Sequence, residues 1–125
     1  MADLSPMIPA GRQIIDGYGE GQFCVAGFWR PGAVIVLPDR TVAWTPPAFA
    51  DLTAADFGEV TAAEPPVEIL LLGSGARAAL APKQLRLDLR AAGVVLESMD
   101  SAAACRTFNI LLAEGRRVAA ALMPI

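Results

Sequence analysis

The chain has 125 residues, 54% of them hydrophobic, and a formal net charge of −3. This length fits one domain over residues 1–125, and the negative charge with a single lysine argues against nucleic acid as a partner. The absence of histidine removes the commonest general base and metal ligand, and two cysteines are too few for structural zinc. We therefore expect no cofactor and no catalysis.

Neither a secretory signal nor a membrane-spanning segment is predicted. Residues 1–11 lack a positive region followed by a long apolar stretch, and no window approaches the ~20 apolar residues that cross a bilayer. Cys24 and Cys105 lie far apart and form no CxxC pattern, which is typical of reduced core thiols. We expect a cytoplasmic protein that does not insert into a membrane.

The first half of the chain predicts short strands joined by tight turns. Three apolar-rich runs span residues 22–29, 33–37 and 41–44. Pro31-Gly32 suits a turn between the first two, so a β-meander is the simplest interpretation, with Ile14 and Ile15 available for an earlier strand. Thr53, with Asp56 three residues later, predicts the start of a short helix to about Val60.

The second half predicts a β-α-β-α-β pattern. Its elements are a buried central strand at 67–72, a helix at 82–92, a strand at 94–96, a helix from Asp100 or Ser101 to about Glu114, and a strand at 117–122. Pro82 and Gly93 favour the first helix, although alternating leucines between them also fit a strand. The second helix has an apolar stripe of Ala104, Phe108, Leu111 and Leu112. A right-handed crossover predicts parallel pairing of the first two strands.

A glycine-rich turn, Gly73-Ser74-Gly75, follows the buried strand and precedes Arg77. Together with Ala78 it fits the GxGxxA pattern of dinucleotide-binding folds, and Glu97 stands where a ribose ligand would. Pro82 would break the helix that such a fold needs after the motif. A structural turn is therefore favoured, at the sheet edge where open α/β sheets bind ligands.

The next strand-to-helix junction holds a second group of candidates, Asp100, Cys105, Arg106, Thr107 and Asn109. In a structural interpretation Asp100 is an N-cap, Cys105 a core residue and Asn109 a partner of a neighbouring loop. In a functional interpretation, a small anion or a partner's carboxylate binds the helix start beside Arg106, although Asp100 would compete for the same N–H groups. A reactive Cys105 is disfavoured because neither histidine nor lysine adjoins it in sequence.

These segments also resemble a known family. The resemblance rests on 70–77 (LLLGSGAR), Gly93-Val94, 99–122 and a Gly-x-Phe-x-Val-x-Gly pattern within 14–38. The family is the domain-of-unknown-function family that includes mitochondrial assembly factor three for respiratory complex I. The resemblance implies an α/β (α+β) fold, a three-layer β+α/β/α domain whose central mixed sheet has helices on one side and extra strands on the other. It implies no activity.

The family's recurrent pattern is matched by Gly73, Gly75, Asp100, Cys105, Arg106, Thr107 and Asn109, whereas Phe108 stands where tyrosine is usual. Our leading hypothesis is a non-enzymatic interaction module that helps to assemble a membrane-associated complex. Its surface would comprise 73–77 and 100–109, with Arg77 and Arg106 contacting partner carboxylates and exposed Trp29 or Trp44 as apolar anchors.

Two alternatives remain open at this stage. The first is a small-molecule or anion site at the same edge, with Asp100 or Glu97 as the only nearby bases. The second is that both junctions are purely structural. The interaction-module hypothesis requires protein partners, which would include subunits of a membrane complex. The sequence leaves the oligomeric state open.

Overall fold

A computed structural model describes residues 12–125. The strands are β1 (Ile15–Gly19), β2 (Gln22–Val25), β3 (Phe28–Pro31), β4 (Val34–Val36), β5 (Thr41–Ala43), β6 (Ile69–Gly73), β7 (Val95–Met99) and β8 (Val118–Leu122). The helices are α1 (Gly58–Thr61), α2 (Lys83–Ala91) and α3 (Ser101–Ala113). Two 3-10 turns, Phe49–Asp51 and Ala54–Phe57, precede α1.

The central sheet is mixed and has the strand order β5-β4-β8-β6-β7. β4 is antiparallel to β5 and β8, whereas β6 is parallel to β7 and β8. The predicted parallel pairing of β6 with β7 is confirmed. The buried run predicted at 67–72 forms the interior strand β6, but the centre of the sheet is β8, because the last strand inserts between β4 and β6.

Both faces of the central sheet are covered. Val118, Ala120 and Leu122 of β8 face the layer that contains α3 and the strands β1 to β3. Ala119 and Ala121 face the opposite layer, which contains α1 and α2. The three-layer β+α/β/α class is confirmed, but α3 shares a layer with the extra strands, so the helices do not all lie on one side.

The N-terminal strands form a separate antiparallel sheet in the order β1-β2-β3. The run predicted as one strand at 22–29 is two strands, because the chain reverses at Ala26-Gly27, where both residues have positive φ of 51° and 84°. The backbone twist of such two-residue turns matches the twist of the flanking strands. Asp16 Oδ2 also accepts a hydrogen bond from Gly27 N–H at 2.9 Å. Alanine rarely adopts this conformation, so the sequence carried no turn signal there. The meander predicted from 22–29, 33–37 and 41–44 is therefore wrong: the three-stranded meander is β1 to β3, and β4 and β5 join the central sheet.

Trp44 lies in the core and is only 8% exposed. Its ring centroid is 5.3 Å from that of Phe57, and its Nε1–H donates to Asp56 O at 3.0 Å. The Asp56 carboxylate accepts the backbone N–H of Thr53 at 2.8 Å, which fixes the predicted helix start, although the first turn is 3-10. The proposal of Trp44 as an exposed anchor is therefore wrong, because its only polar group is bonded internally.

The two longer helices end where the sequence predicts. Gly93 and Gly115 follow α2 and α3 with φ of 87° and 78°, a conformation that favours glycine. Pro82 caps α2 rather than forming its first residue, and Asp100 Oδ1 accepts the N–H of Ala103 at 2.8 Å. Among the described residues, the longest helix has 13 residues, and none has the length and hydropathy to cross a bilayer.

The small side chains of β8 allow two layers to approach one sheet. We predict that Ala120→Leu lowers the free energy of unfolding by about 1–3 kcal/mol, since Ala120 is fully buried and extra methylenes strain a packed layer. Urea denaturation measures the change. Ala91→Leu on the exposed side of α2 is the matched control and should shift it by less than about 0.5 kcal/mol. Equal shifts would contradict the closed packing at β8.

Candidate carboxyl-edge interaction site

The two predicted site segments meet at the carboxyl ends of β6 and β7. Ser74 N–H donates to Met99 O at 2.9 Å, and Ser101 N–H donates to Gly75 O at 2.8 Å. Parallel strands end at the same sheet edge, so the glycine-rich turn and the start of α3 become neighbours.

Ser101, the first residue of α3, is completely buried. Its Oγ–H donates to Met123 O at 2.7 Å, and Oγ accepts the N–H of Gly75 at 2.8 Å. One hydroxyl therefore joins α3, the glycine-rich turn and the segment after β8. The sequence pointed to Ser101 only as an alternative helix cap, because both partners are distant in sequence.

Gly73 is required by close packing. A Cβ placed there would lie 2.9 Å from Ser101 Cα, 2.7 Å from Ser101 Oγ and 3.0 Å from Leu122 Cδ2. Gly75 has φ of 94°, which side chains rarely adopt. Because α2 begins only at Lys83, the glycines do not open a helix as in a dinucleotide site. They allow α3 to approach β6.

The start of α3 offers few free donors to an anion. Ser101 N–H is bonded to Gly75 O, Ala103 N–H to the Asp100 carboxylate at 2.8 Å, and Ala104 N–H to Asp100 O at 3.0 Å. The competition expected from Asp100 is therefore present. This geometry disfavours the small-anion alternative at the helix start, because three of the first four N–H groups of α3 are already bonded.

Cys105 is a core residue, with 2% of its surface exposed. Burial raises the pKa of its thiol from 9.0 to about 12; Arg106 opposes that shift and Asp100 adds to it. The thiol is therefore protonated near neutral pH and is a poor nucleophile.

Asn109 fastens β1 to α3. Its Nδ2–H donates to Ile15 O at 2.9 Å, and its Oδ1 accepts the N–H of Ile15 at 2.9 Å. The side chain thereby satisfies both main-chain groups of a buried strand residue, so its observed contacts are structural. Thr107 is half-buried on the same helix.

Arg77 and Arg106 are exposed, and neither forms an ion pair within residues 12–125. Ser74 Oγ–H donates to Arg77 O at 2.6 Å, which fixes the main chain of the loop. Arg106 Nη1 lies 3.4 Å from the Tyr18 hydroxyl, within donor distance. Leu80, farther along the loop, is 90% exposed.

Tyr18 and Trp29 extend this region onto the N-terminal sheet. The indole of Trp29 is 58% exposed and passes over Gly17, where a Cβ would lie 3.3 Å from its Cη2. Tyr18 and Trp29 line one surface groove, and Gly21 N–H donates to Ile125 O at 3.0 Å, so the β1–β2 turn is tied to the segment after β8. We name Tyr18, Trp29, Arg77, Leu80 and Arg106 the carboxyl-edge surface.

Sequence reasoning missed Tyr18 and Leu80. Tyr18 reaches the edge only through a contact with α3, 88 positions away, for which a single sequence carries no signal. Leu80 follows Arg77 in a run of small residues before Pro82, and the signal that could have identified it is a large apolar residue outside any predicted helix or strand.

We predict that Gly73→Ala lowers the free energy of unfolding by about 1–3 kcal/mol, because the new methyl group would overlap the α3 backbone at Ser101. Gly58→Ala is the control: a Cβ there meets nothing within 4 Å, and the change should stay within about 1 kcal/mol. Urea denaturation compares the two. Equal midpoints would argue against the close approach.

We predict that Cys105 resists alkylation in the folded protein and reacts on unfolding. Its pKa of about 12 keeps the thiol protonated, whereas the unfolded value is near 9.0. Below pH 9.0 the thiol is neutral in both the folded and the unfolded state. As the pH rises from 9.0 towards about 12, the thiol ionises in the unfolded state first, so the free energy of unfolding falls. Iodoacetamide labelling with peptide mapping tests reactivity; rapid labelling of Cys105 without denaturant would contradict this.

Comparison with known proteins places this geometry in a family. Residues 15–123 match the family described as "Protein of unknown function (DUF498/DUF598)". An uncharacterised Rhodobacter capsulatus protein is 43% identical over 124 residues, covering 98% of this chain and 94% of its own. The mouse protein NADH dehydrogenase (ubiquinone) 1 alpha subcomplex assembly factor 3 is 34% identical over 110 residues, covering 88% of this chain and 60% of its own length.

The fold is also found in a solved structure. The solution structure of a Bordetella pertussis protein, described as an Mth938-like domain, has a TM-score of 0.80 and 29% identity, covering 98% of this chain and 92% of that one. The family match covers residues 15–123, and the structural match covers 98% of the chain, so both comparisons describe nearly the same residues. The chain therefore belongs to the DUF498/DUF598 family of proteins of unknown function.

Proposed function

We propose that this protein is a non-enzymatic interaction module that helps to assemble or stabilise a membrane-associated complex, and that it binds a protein partner through the carboxyl-edge surface. The observation that carries the proposal is the exposure of Arg77 and Arg106, without ion pairs inside residues 12–125, at an edge where Ser74, Asp100 and Asn109 are bonded internally.

The chemistry of this surface suits a partner with acidic side chains. A guanidinium group binds a carboxylate through two parallel hydrogen bonds, which gives strength and orientation. The partly exposed ring of Tyr18 contacts Arg106, and the exposed ring of Trp29 lines a groove with Tyr18. Aromatic residues with arginine dominate the energetic centres of protein interfaces. Leu80 adds an exposed apolar contact.

The relatives support the assembly role. Curated vertebrate relatives carry the name of an assembly factor of NADH dehydrogenase (ubiquinone), and the aligned region of the mouse protein covers 88% of this chain. We extend that role to subunits of a membrane complex as partners. We also propose a cytoplasmic location, which two free, buried cysteines favour.

The test is co-purification of the tagged protein from its source cell in gentle detergent, followed by quantitative mass spectrometry. We expect subunits of a membrane complex to be enriched with the unaltered protein. Arg77→Ala combined with Arg106→Ala should reduce their recovery by about tenfold or more, since losing charge-assisted contacts costs more than ~1.4 kcal/mol.

Arg90→Ala is the matched control. Arg90 is exposed in the last turn of α2, and its substitution removes the same type of charge. It should leave partner recovery unchanged. Circular dichroism and thermal melting establish that all variants are folded. Equal recovery from the double variant and the control, or no enriched partner with the unaltered protein, would refute the proposal.

A further inference from the structure

One side of the central sheet ends in an unpaired strand of full length. β7 is the outermost strand beside β6, and the strand at the opposite edge is β5. β5 has only three residues, whereas β7 has five. A long edge strand is a template for pairing with another chain, and short edge strands reduce that risk. β7 is therefore the edge of this sheet that most needs protection against pairing.

The main chain of β7 has hydrogen-bonding groups on its outer side. Val95 N–H donates to Glu68 O at 2.9 Å, and Met99 O accepts Ser74 N–H at 2.9 Å, so both residues direct these groups towards the segment that contains β6. Main-chain groups alternate in direction along a strand, so those of Leu96 and Ser98 point away from β6. Leu96 and Ser98 therefore carry the groups that a further strand would bind.

Arg86 of α2 binds one of these outward groups. Its Nη1 donates to Leu96 O at 2.6 Å, which is well inside the ~4.8 Å that separates neighbouring strands. The burial of Leu85 and Leu89 fixes α2 against the sheet and so brings Arg86 to the edge. Arg86 forms no ion pair within residues 12–125, so the Leu96 carbonyl is the observed partner of its guanidinium group.

Glu97 adds a charge in the middle of the same strand. Its side chain is exposed and lies on the same face of the sheet as Val95, since side chains alternate along a strand. Val95 is 47% exposed, so the edge also presents apolar area that pairing would bury. Within the described part of the chain Glu97 has no ion pair, so its charge is uncompensated.

A second copy of this chain would meet both obstacles at once. If two antiparallel β7 strands paired about a two-fold axis through their outward groups, Leu96 would lie opposite Ser98 of the other copy. Ser98 N–H would then need Leu96 O, which Arg86 already binds. The same register places Glu97 opposite its own copy, and like charges directly opposite destabilise a strand pair. This repulsion acts against self-pairing in particular, because an identical strand brings a second Glu97.

We propose that Arg86 and Glu97 prevent β7 from pairing with β7 of a second copy of this chain. Arg86 occupies the carbonyl acceptor at Leu96, and Glu97 makes the symmetric register repulsive. The protection keeps the central sheet at five strands. It involves no residue of the carboxyl-edge surface, so it stands or fails independently of partner binding there.

The experiment compares Arg86→Ala/Glu97→Gln with the unaltered chain by sedimentation velocity over a series of protein concentrations. The double variant should form dimers at concentrations at least about tenfold lower than the unaltered chain, because each dimer regains two carbonyl acceptors and loses one like-charge contact. Amide hydrogen exchange at Leu96 and Ser98 locates the interface. Both amides should exchange more slowly in the dimer, since pairing across the β7 edge gives their outward N–H groups acceptors.

Arg90→Ala/Glu114→Gln is the matched control, since both residues are exposed and the substitutions remove the same two charges outside β7. It should associate no more than the unaltered chain. Circular dichroism establishes that the variants are folded.

The single variant Glu97→Gln removes only the charge and keeps the test decisive if the double variant folds poorly. It should associate more tightly than Glu114→Gln. Three results would overturn the proposal: variants at β7 that associate no more than their controls, dimers that leave the Leu96 and Ser98 amides unprotected, or an unaltered chain that already pairs through β7.

Discussion

The close contact between Gly73 and the first turn of α3 is the constraint on which the carboxyl edge of the protein depends. Ser101 Cα lies so near Gly73 that no side chain fits between them. The buried Ser101 hydroxyl then joins the glycine-rich turn to the segment after β8. A buried hydroxyl is stable only if it is hydrogen-bonded, so packing and hydrogen bonding fix the same arrangement together.

Because of this close contact, most polar residues at the two strand-to-helix junctions have a structural role. The backbone of Gly75 bonds to Ser101, and the side chains of Asp100 and Asn109 bond to neighbouring main chain. Such groups stabilise the edge and offer little to a ligand. What remains available for recognition is the outer set of side chains, in which Arg77 and Arg106 supply charge and Trp29 supplies apolar area.

The two ends of the central sheet use arginine differently. At the carboxyl edge the guanidinium groups are exposed and have no carboxylate partner among the described residues, which favours a protein surface as the partner. At the amino edge Arg40 is paired with Glu59, and Arg117 with Glu68, so these guanidinium groups join segments of the fold itself.

The sequence by itself determined the elements whose signals are local. Pro82 with Gly93 and Asp100 with Gly115 bounded the two longer helices, because caps and helix-ending glycines act within one turn. The parallel pairing of β6 with β7 followed from the right-handed crossover. The candidate residues at the carboxyl edge were also brought together as expected, since parallel strands end at one edge.

Tertiary structure alone decided which of those residues are exposed and what they contact. The insertion of β8 at the sheet centre, the burial of Trp44 and the layer that α3 occupies depend on segments far apart in the chain. Tyr18 meets Arg106 across 88 positions, and Asn109 meets Ile15 across 94. Local sequence patterns carry no information on such contacts, because burial and close approach are set by whichever distant segment packs against a residue.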